Sequence, residues 1–250
     1  MSVDFHIHST NSDGSDSPEE LFIRGKKLGL RHISITDHDT LLGIEENKIL
    51  ASKYKINYTP GIEISAYDYN NSKKCHIVGL NVNSKSKKLN RLIDETSRLR
   101  HKTSILQIEK LIELGYDISL KKILEERKNR VVFKQHIMKA LINKKYAKKI
   151  YGDFYYKMFK NNGPLDIKIQ YPDNNLAIEI LKESGALPIL AHPTQYDNLI
   201  DIENMVNHGL AGIEWSYPTV TEKGKKEILE TAEKYNLILS TGSDYHGNLE

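Results

Sequence analysis

Asp4-Phe5-His6-Ile7-His8-Ser9 closes a short apolar run with two histidines at i and i+2, and Asp13 follows soon after. A strand alternates its faces, so His6 and His8 point the same way and can grip one ion. The far end of the chain repeats the arrangement in Asp244-Tyr245-His246, after an apolar run at 237–241. Between these pairs, Asp37-His38, Glu63, His76 and His192 each fall at or just after an apolar, strand-like run. In a barrel of parallel strands such ends converge on one face. The set is therefore expected to ring a single metal-filled pocket.

Working outward, residues 3–8 read as a strand. Ser17-Pro18-Glu19-Glu20 is a capping box with proline at the first helical position, opening a helix that stops near Gly29. A strand at 32–36 ends in Asp37-His38-Asp39, and Thr40 is placed to cap a helix running to Tyr54. Short strands are expected at 56–59, 62–65 and 75–81. The middle of the chain is different. Residues 89–114 form one long helical pattern with Leu92, Leu99, Leu106, Ile108, Leu111 and Ile112 as apolar positions, ended by Gly115. Helices at 119–127, capped by Ser119, and at 133–143 and 146–161 follow with no strand between them. Alternation resumes after Pro172, with helices to residue 183 and at 202–207 and 222–235. They interleave with strands at 186–191, 211–216 and 237–241. Repeated β/α units with polar residues at strand ends argue for a parallel barrel or a doubly wound sheet. Residues 1–84 and 169–250 are read as that barrel, and 85–168 as a helical insertion capping it. Leu249-Glu250 reads as a cloning scar and carries no argument.

The 250 residues suit one large domain. No run of about 18 apolar residues exists to span a membrane, and His6, His8 and Asp13 interrupt anything resembling a signal peptide. The single cysteine, Cys75, excludes an internal disulfide and fits a reducing compartment, so a cytoplasmic location is expected. Net charge is +3, but residues 85–168 hold 22 Lys and Arg against 9 Asp and Glu, and the remainder 14 against 24. The basic segment is either a solvated lysine-rich surface or a cap that steers polyanionic substrates. Imidazoles with carboxylates suit Zn, Mn or Fe, and the lack of cysteines disfavours a thiolate site. A glutamate has two acceptor oxygens, so Glu63 between the two terminal pairs can bridge more than one cation.

At this point the residues resemble a known family. Asp4-Phe5-His6-Ile7-His8-Ser9, Ile35-Thr36-Asp37-His38-Asp39, Gly61-Ile62-Glu63-Ile64-Ser65, His76-Ile77-Val78-Gly79-Leu80, Ala191-His192-Pro193 and Gly242-Ser243-Asp244-Tyr245-His246-Gly247 appear in the order of the PHP family. That family is named for polymerase and histidinol phosphatase. The resemblance runs end to end and is nearest to the stand-alone branch of 3′,5′-nucleoside bisphosphate phosphatases and short-oligoribonucleotide exonucleases. It implies an α/β fold, a distorted (β/α)7 TIM-like barrel with a helical insertion, holding two to three divalent ions. Carried over residue by residue, it implies that His6, His8, Glu63 and Asp244 hold one ion. Glu63 bridges to a second held by His76 and His192, while Asp13, His38 and His246 hold a third.

The implied activity is metal-dependent hydrolysis of a phosphomonoester on a small nucleotide, such as a nucleoside 3′,5′-bisphosphate. Metal binding lowers the pKa of water to about 7 in favourable cases, so a metal-bridging hydroxide is the expected nucleophile. Histidinol phosphatase is the rival within the same chemistry. A non-catalytic metal-bound scaffold associated with nucleic-acid machinery is the rival of another class. Short oligonucleotides are further candidate substrates, and no membrane partner is expected.

Around the ligands, Asp37 and Asp39 are candidates to orient imidazoles, or simply loop acids flanking Thr40. Arg130, Lys134 and His136 are candidate phosphate contacts, since the matching helix in the nucleotide-hydrolysing branch often begins Arg-Pro-His. Here it reads Lys134-Gln135-His136; lysine keeps the charge but loses the bidentate fork. Trp215 and Tyr217 either stack on a base or pack the barrel rim, and Tyr245 can do either. His32, His101 and His208 read as ordinary structural histidines, His208 being favourable at a helix C-terminus.

Overall fold

The computed structural model describes residues 2–126 and 131–247. Its strands are β1 (Val3–Ile7), β2 (His32–Ile35), β3 (Asn57–Tyr58), β4 (Gly61–Asp68), β5 (Lys73–Leu80), β6 (Leu187–Leu190), β7 (Gly212–Ser216) and β8 (Ile238–Thr241). The helices are α1 (Pro18–Lys27), α2 (Ile44–Tyr54), α3 (Lys87–Glu113), α4 (Leu120–Glu126), α5 (Lys134–Asn143), α6 (Asp153–Phe159), α7 (Asn174–Glu183), α8 (Ile202–His208) and α9 (Glu222–Tyr235). The strands form a parallel sheet β1-β2-β3 and a five-stranded sheet β4-β5-β6-β7-β8. Single parallel bridges join the two sheets at both seams, Ile7 to Tyr245 and His38 to Glu63. The result is a distorted TIM-like α/β barrel whose seams are bridges rather than continuous ladders.

Not every strand is parallel, against the expectation from the β/α pattern. β5 runs antiparallel to both β4 and β6. Only four residues separate β4 from β5, too few for a crossover helix, so the pair must close as a hairpin. This reverses which half of the strand reaches the site rim, and His76 lies in the first half of β5 rather than at its end.

Alternation along β4 and β5 sorts the two barrel faces. Ile62, Ile64, Ala66, Cys75 and Ile77 pack outward with Ala177, Ile178 and Leu181 of α7 in the main core. Each buried isoleucine or leucine among them contributes roughly 1.5–3 kcal/mol. The opposite face carries Glu63, Ser65, His76, Val78 and Leu80. Val78 and Leu80 cluster with Ile189 and Ala191 and form an apolar floor below the polar residues.

The start of α1 follows its sequence: Ser17 Oγ accepts from the Glu20 N–H, and Glu20 accepts from the Ser17 N–H at 2.7 Å. α2 does not. Its cap is Gly43 with no side-chain bond, while Thr40 Oγ1 accepts from the Leu42 N–H in the preceding turn. Asp39 explains the shift, because its left-handed backbone (φ 50) and its bonds to Glu63 and Ser65 draw this segment onto β4. The helix expected at 146–161 begins only at Asp153, after turns in which Ala147 and Ile150 are buried.

α3 joins two cores. Its first half places Leu89, Leu92 and Ile93 in the barrel core, and its second half places Ile108 and Leu111 in a separate cluster. That cluster includes Ile123 of α4, Ile137, Met138 and Leu141 of α5, and Met158 and Phe159 of α6. The long helical pattern in the sequence thus reflects a helix with two apolar ends serving different cores. Among the described residues, no helix is long and apolar enough to cross a membrane.

Candidate metal centre

Four strand ends, one strand start and one hairpin strand bring the polar set together. Glu63 is its hub. Its Oε2 lies 3.3 Å from His6 Nε2, 3.2 Å from His8 Nε2 and 3.1 Å from His38 Nδ1. Its Oε1 meets His76 Nδ1 at 3.0 Å and His192 Nε2 at 3.1 Å. Asp244 Oδ1 stands 3.4 Å from His6 Nε2 and 3.3 Å from His8 Nε2. On the other side, Asp13 Oδ1 lies 3.4 Å from His246 Nε2, and the His246 ring stacks on His8 at 4.0 Å.

Among the described residues, three groups have one donor atom each within 4.8 Å of the others: His6/His8/Glu63/Asp244, His8/Asp13/His38/His246, and His38/Glu63/His76. His192 joins them through Glu63. His192 (φ 28) and Asp244 (φ 48) both hold left-handed backbone conformations. Such strain in a non-glycine residue costs of order 1–3 kcal/mol and clusters at functional sites.

The electrostatics are those of a crowded, buried site. Burial opposes charge on Glu63, yet the imidazoles of His38, His6 and His76 hold its carboxyl well below the usual range. Asp13 is held low in the same way by His246 and His38. Burial also opposes charge on His8, but Asp244 and Glu63 push it up to about 10. For His38 and His76 burial prevails and lowers them.

The donor set fits divalent ions. His6 Nε2, both ring nitrogens of His8, Glu63 Oε2 and His192 Nδ1 are buried without a hydrogen-bond partner. Orphaned buried polar atoms are costly unless something satisfies them. Most of these point at one another across 3.2–3.4 Å, and imidazole nitrogens with carboxylate oxygens are what Zn, Mn or Fe accept.

The surroundings correct several expectations. Asp37 accepts from Ser9 N–H, Ser9 Oγ and Ser12 Oγ at 2.6–2.7 Å, so it pins the loop carrying Asp13. Asp39 bonds Ser65 N–H and Arg100 Nη2, at 3.0 and 2.6 Å. Outside the proposed ligand set, a carboxylate that does meet one of its imidazoles is Glu214, 3.2 Å from His6 Nδ1 and also accepting from the His192 N–H at 2.7 Å. Sequence reading missed it; the available signal is an acid inside the apolar strand Ile213-Glu214-Trp215. His32 meets Thr59, His101 accepts from the Val132 N–H, and His208 pairs with Glu179. Trp215 and Tyr217 pack against the main core, and Tyr217 bonds Thr194. Tyr245 sits under Arg24 and bonds Asp16.

Of the phosphate candidates, Arg130 lies outside the described residues. His136 Nδ1 accepts from the Phe133 N–H at the start of α5. Lys134 stands among cations that the sequence did not single out. Lys74 shares the face of β5 that carries His76, and its ammonium lies 5.8 Å from the Tyr196 ring, which in turn meets the His76 ring at 5.4 Å. Burial, Lys160, Lys134 and Arg100 push Lys74 down to about 7, and burial, Lys160 and Arg100 push Lys134 down to about 8. Arg100 is braced by Asp39 and by Ser65 Oγ, which lies 3.4 Å from His38. Gln135, next to Lys134, donates to Asp13 at 2.7 Å.

Over residues 4–249 the sequence matches the PHP domain. The chain belongs to the PHP family. It is 37% identical over 99% of its length to phosphoribosyl 1,2-cyclic phosphate 1,2-diphosphodiesterase of Eggerthella lenta, covering 95% of that protein. It is 28% identical over 97% of its length to a 5′-3′ exoribonuclease of Haemophilus influenzae, covering 89% of it. With the 3′,5′-nucleoside bisphosphate phosphatase of Chromobacterium violaceum it shares 24% identity over 98% of its length and 87% of that enzyme. Among solved structures, a Bifidobacterium adolescentis protein superposes with a TM-score of 0.91 at 23% identity, over 99% of this chain and 88% of that one. This PHP protein is accordingly a metal-dependent phosphoesterase, a hydrolase with a His/Asp/Glu cluster suited to metal ions.

Proposed function

We propose that this enzyme hydrolyses a phosphoester on a small ribose compound that carries a second phosphate. The supporting observation is the cation group beside the metal centre. Lys74, Lys134 and Lys160 make no ion pair among the described residues, and burial and mutual repulsion depress Lys74 and Lys134. Like charges held together at that cost are suited to an anion. Arg100 adds a buried Nε with no hydrogen-bond partner. The Eggerthella and Chromobacterium enzymes are both named for ribose compounds bearing two phosphate groups.

In this reading, residues 85–168 act as a cap over a barrel of residues 1–84 and 169–250. Lys134 and Arg100, with Arg130 and His136 as further candidates, serve the second phosphate from the cap; Lys74 serves it from the barrel side. Two to three divalent ions (Mn, Fe or Zn) are held by His6, His8, Glu63 and Asp244, by Glu63, His76 and His192, and by Asp13, His38 and His246. When bound, they supply Lewis-acid activation of water and neutralise phosphoryl charge. The chain's own contribution is to hold the scissile group against Glu63's neighbours while the lysines fix its far end, which converts binding into orientation. The buried, unpaired Cys75 supports a cytoplasmic location.

The first substrate is phosphoribosyl 1,2-cyclic phosphate, supported by the relative at 37% identity. A nucleoside 3′,5′-bisphosphate is the second reading, favoured by the Tyr196 ring beside His76 and His192, where a base can stack. Phosphorus NMR with Mn²⁺ over both compounds, a mononucleotide, a short oligoribonucleotide and histidinol phosphate separates them. Turnover is expected to favour the doubly phosphorylated ribose compounds. Equal or faster turnover of histidinol phosphate or of the mononucleotide overturns the proposal.

A second expectation concerns pH. Only the protonated lysine attracts phosphate, and Lys134 loses its proton near pH 8 in the free enzyme. Lys74, pushed down to about 7, loses its proton first, so kcat/KM, which reports the free enzyme, is expected to fall from about pH 7 and further above about pH 8 through a rising KM. Lys134→Met should raise KM about tenfold at pH 7 with kcat little changed, and should remove the part of that alkaline limb set near pH 8, leaving the part set by Lys74. An unchanged KM in the variant removes Lys134 from the substrate site.

A further inference from the structure

We infer that Glu214 is a positioning residue that couples His6 to His192, so that two of the three ligand groups depend on one buried carboxylate. The inference rests on the reading of His6 and His192 as metal ligands. Glu214 projects from β7 and is 2% exposed. Its Oε1 and Oε2 lie 3.2 and 3.4 Å from His6 Nδ1, and its Oε2 also accepts from the His192 N–H at 2.7 Å. These partners lie 208 and 22 residues away in the chain.

A carboxylate offers acceptors only, so it keeps the proton of a neutral His6 ring on Nδ1. The lone pair is then left on Nε2, the atom that faces Glu63 Oε2 at 3.3 Å and Asp244 Oδ1 at 3.4 Å. The same carboxylate holds the backbone of His192 in its left-handed conformation, which aims Nε2 of that ring at Glu63 Oε1, 3.1 Å away. Gly242 keeps the approach open, because a Cβ there would press on His6 Cβ and come within 2.8 Å of Glu214 Oε1.

Glu214→Gln tests the coupling without changing size. The His192 N–H can only donate, so the amide oxygen must face it, leaving the NH₂ against His6 Nδ1. That reverses the demand on the ring and puts the proton on Nε2, where an ion has to bind. The measurement is ion stoichiometry and affinity of the full chain, by chelator competition with Zn²⁺ and Mn²⁺ alongside elemental analysis. Glu214→Gln is expected to weaken the ions served by His6 and His192 by about 10- to 100-fold, while the ion at Asp13, His38 and His246 is retained. Excess metal should recover kcat. Unchanged affinities, or equal loss of every ion, overturn the inference. A wild-type protein that binds no ions overturns instead the ligand reading beneath it. If Glu214→Gln does not fold by circular dichroism, Glu214→Asp decides: it keeps the charge but shortens the reach, and unaltered affinity in that variant is equally fatal.

Discussion

Glu63→Gln is expected to lower kcat/KM by at least about 10³-fold, equivalent to about 4 kcal/mol of transition-state stabilisation, while the chain stays folded. Glu63 lies within 3.0–3.3 Å of five imidazoles, from His6, His8, His38, His76 and His192. One carboxylate oxygen serves three of them and the other serves two, so the residue is the junction between ligand groups. A glutamine has one oxygen and one NH₂ in the same space. Whichever way it turns, a donor faces ring nitrogens that, under the proposed ligand set, would present lone pairs to ions, and the negative charge that would offset those ions is gone. The check combines turnover of the best substrate, ion content by elemental analysis and circular dichroism. A folded variant that keeps its ions and most of its activity removes Glu63 from the centre of the site.

Stripping the ions should make stability respond to pH in the opposite sense from the loaded enzyme. Burial works against charge on His8, but Asp244 and Glu63 raise it to about 10, against 6.5 in the unfolded chain. His6 and His246 are raised as well. A raised histidine stabilises the fold fully below pH 6.5 and loses that contribution as pH climbs through the folded value. The lowered His38 and His76 act below pH 6.5, so they do not offset the loss above it. Lys74 and Lys134 are depressed from 10.5 and favour the fold as pH rises towards that value, but they do so with or without ions. Ion binding goes the other way, because its ligands must be deprotonated and affinity rises with pH. The gap in Tm between loaded and chelator-treated protein should therefore widen between pH 6.5 and 8.5. A difference of a few kcal/mol corresponds to roughly 5–10 °C for a chain of this size. Scanning fluorimetry at several pH values measures it; a gap that is constant or narrows contradicts the protonation scheme.

Much of the fold was legible from the sequence because its signals are short-range. The capping box at Ser17 and the local patterns that mark a strand at 62–65 and a helix at 222–235 act within a few residues; α1 and α9 form where they are written, and β4 extends its stretch to Gly61–Asp68. Where local signals competed with contacts from afar, the contacts won. Thr40 is a good cap in isolation, yet Asp39 binds β4 and the helix starts at Ile44. β5 carries the apolar character of a parallel strand, and only its four-residue link to β4 shows that it must reverse.

The site divides along the same line. Spacing alone makes His6 and His8 share a face, because side-chain direction repeats every second residue along a strand; Asp244, left-handed at φ 48, and His246 lie beyond the end of β8, so the same rule does not place them. The sequence by itself thus determined the residue types that gather, the placing of most of them at strand ends and the class of chemistry. Tertiary structure alone decided that Glu63 stands between five imidazoles, that Lys74, Arg100 and Lys160 gather with Lys134, and that Glu214 rather than Asp37 or Asp39 braces His6. These relations join residues tens to hundreds of positions apart. They depend on strand direction and seam register, and on which neighbours burial leaves to satisfy each polar atom; no local pattern encodes such quantities.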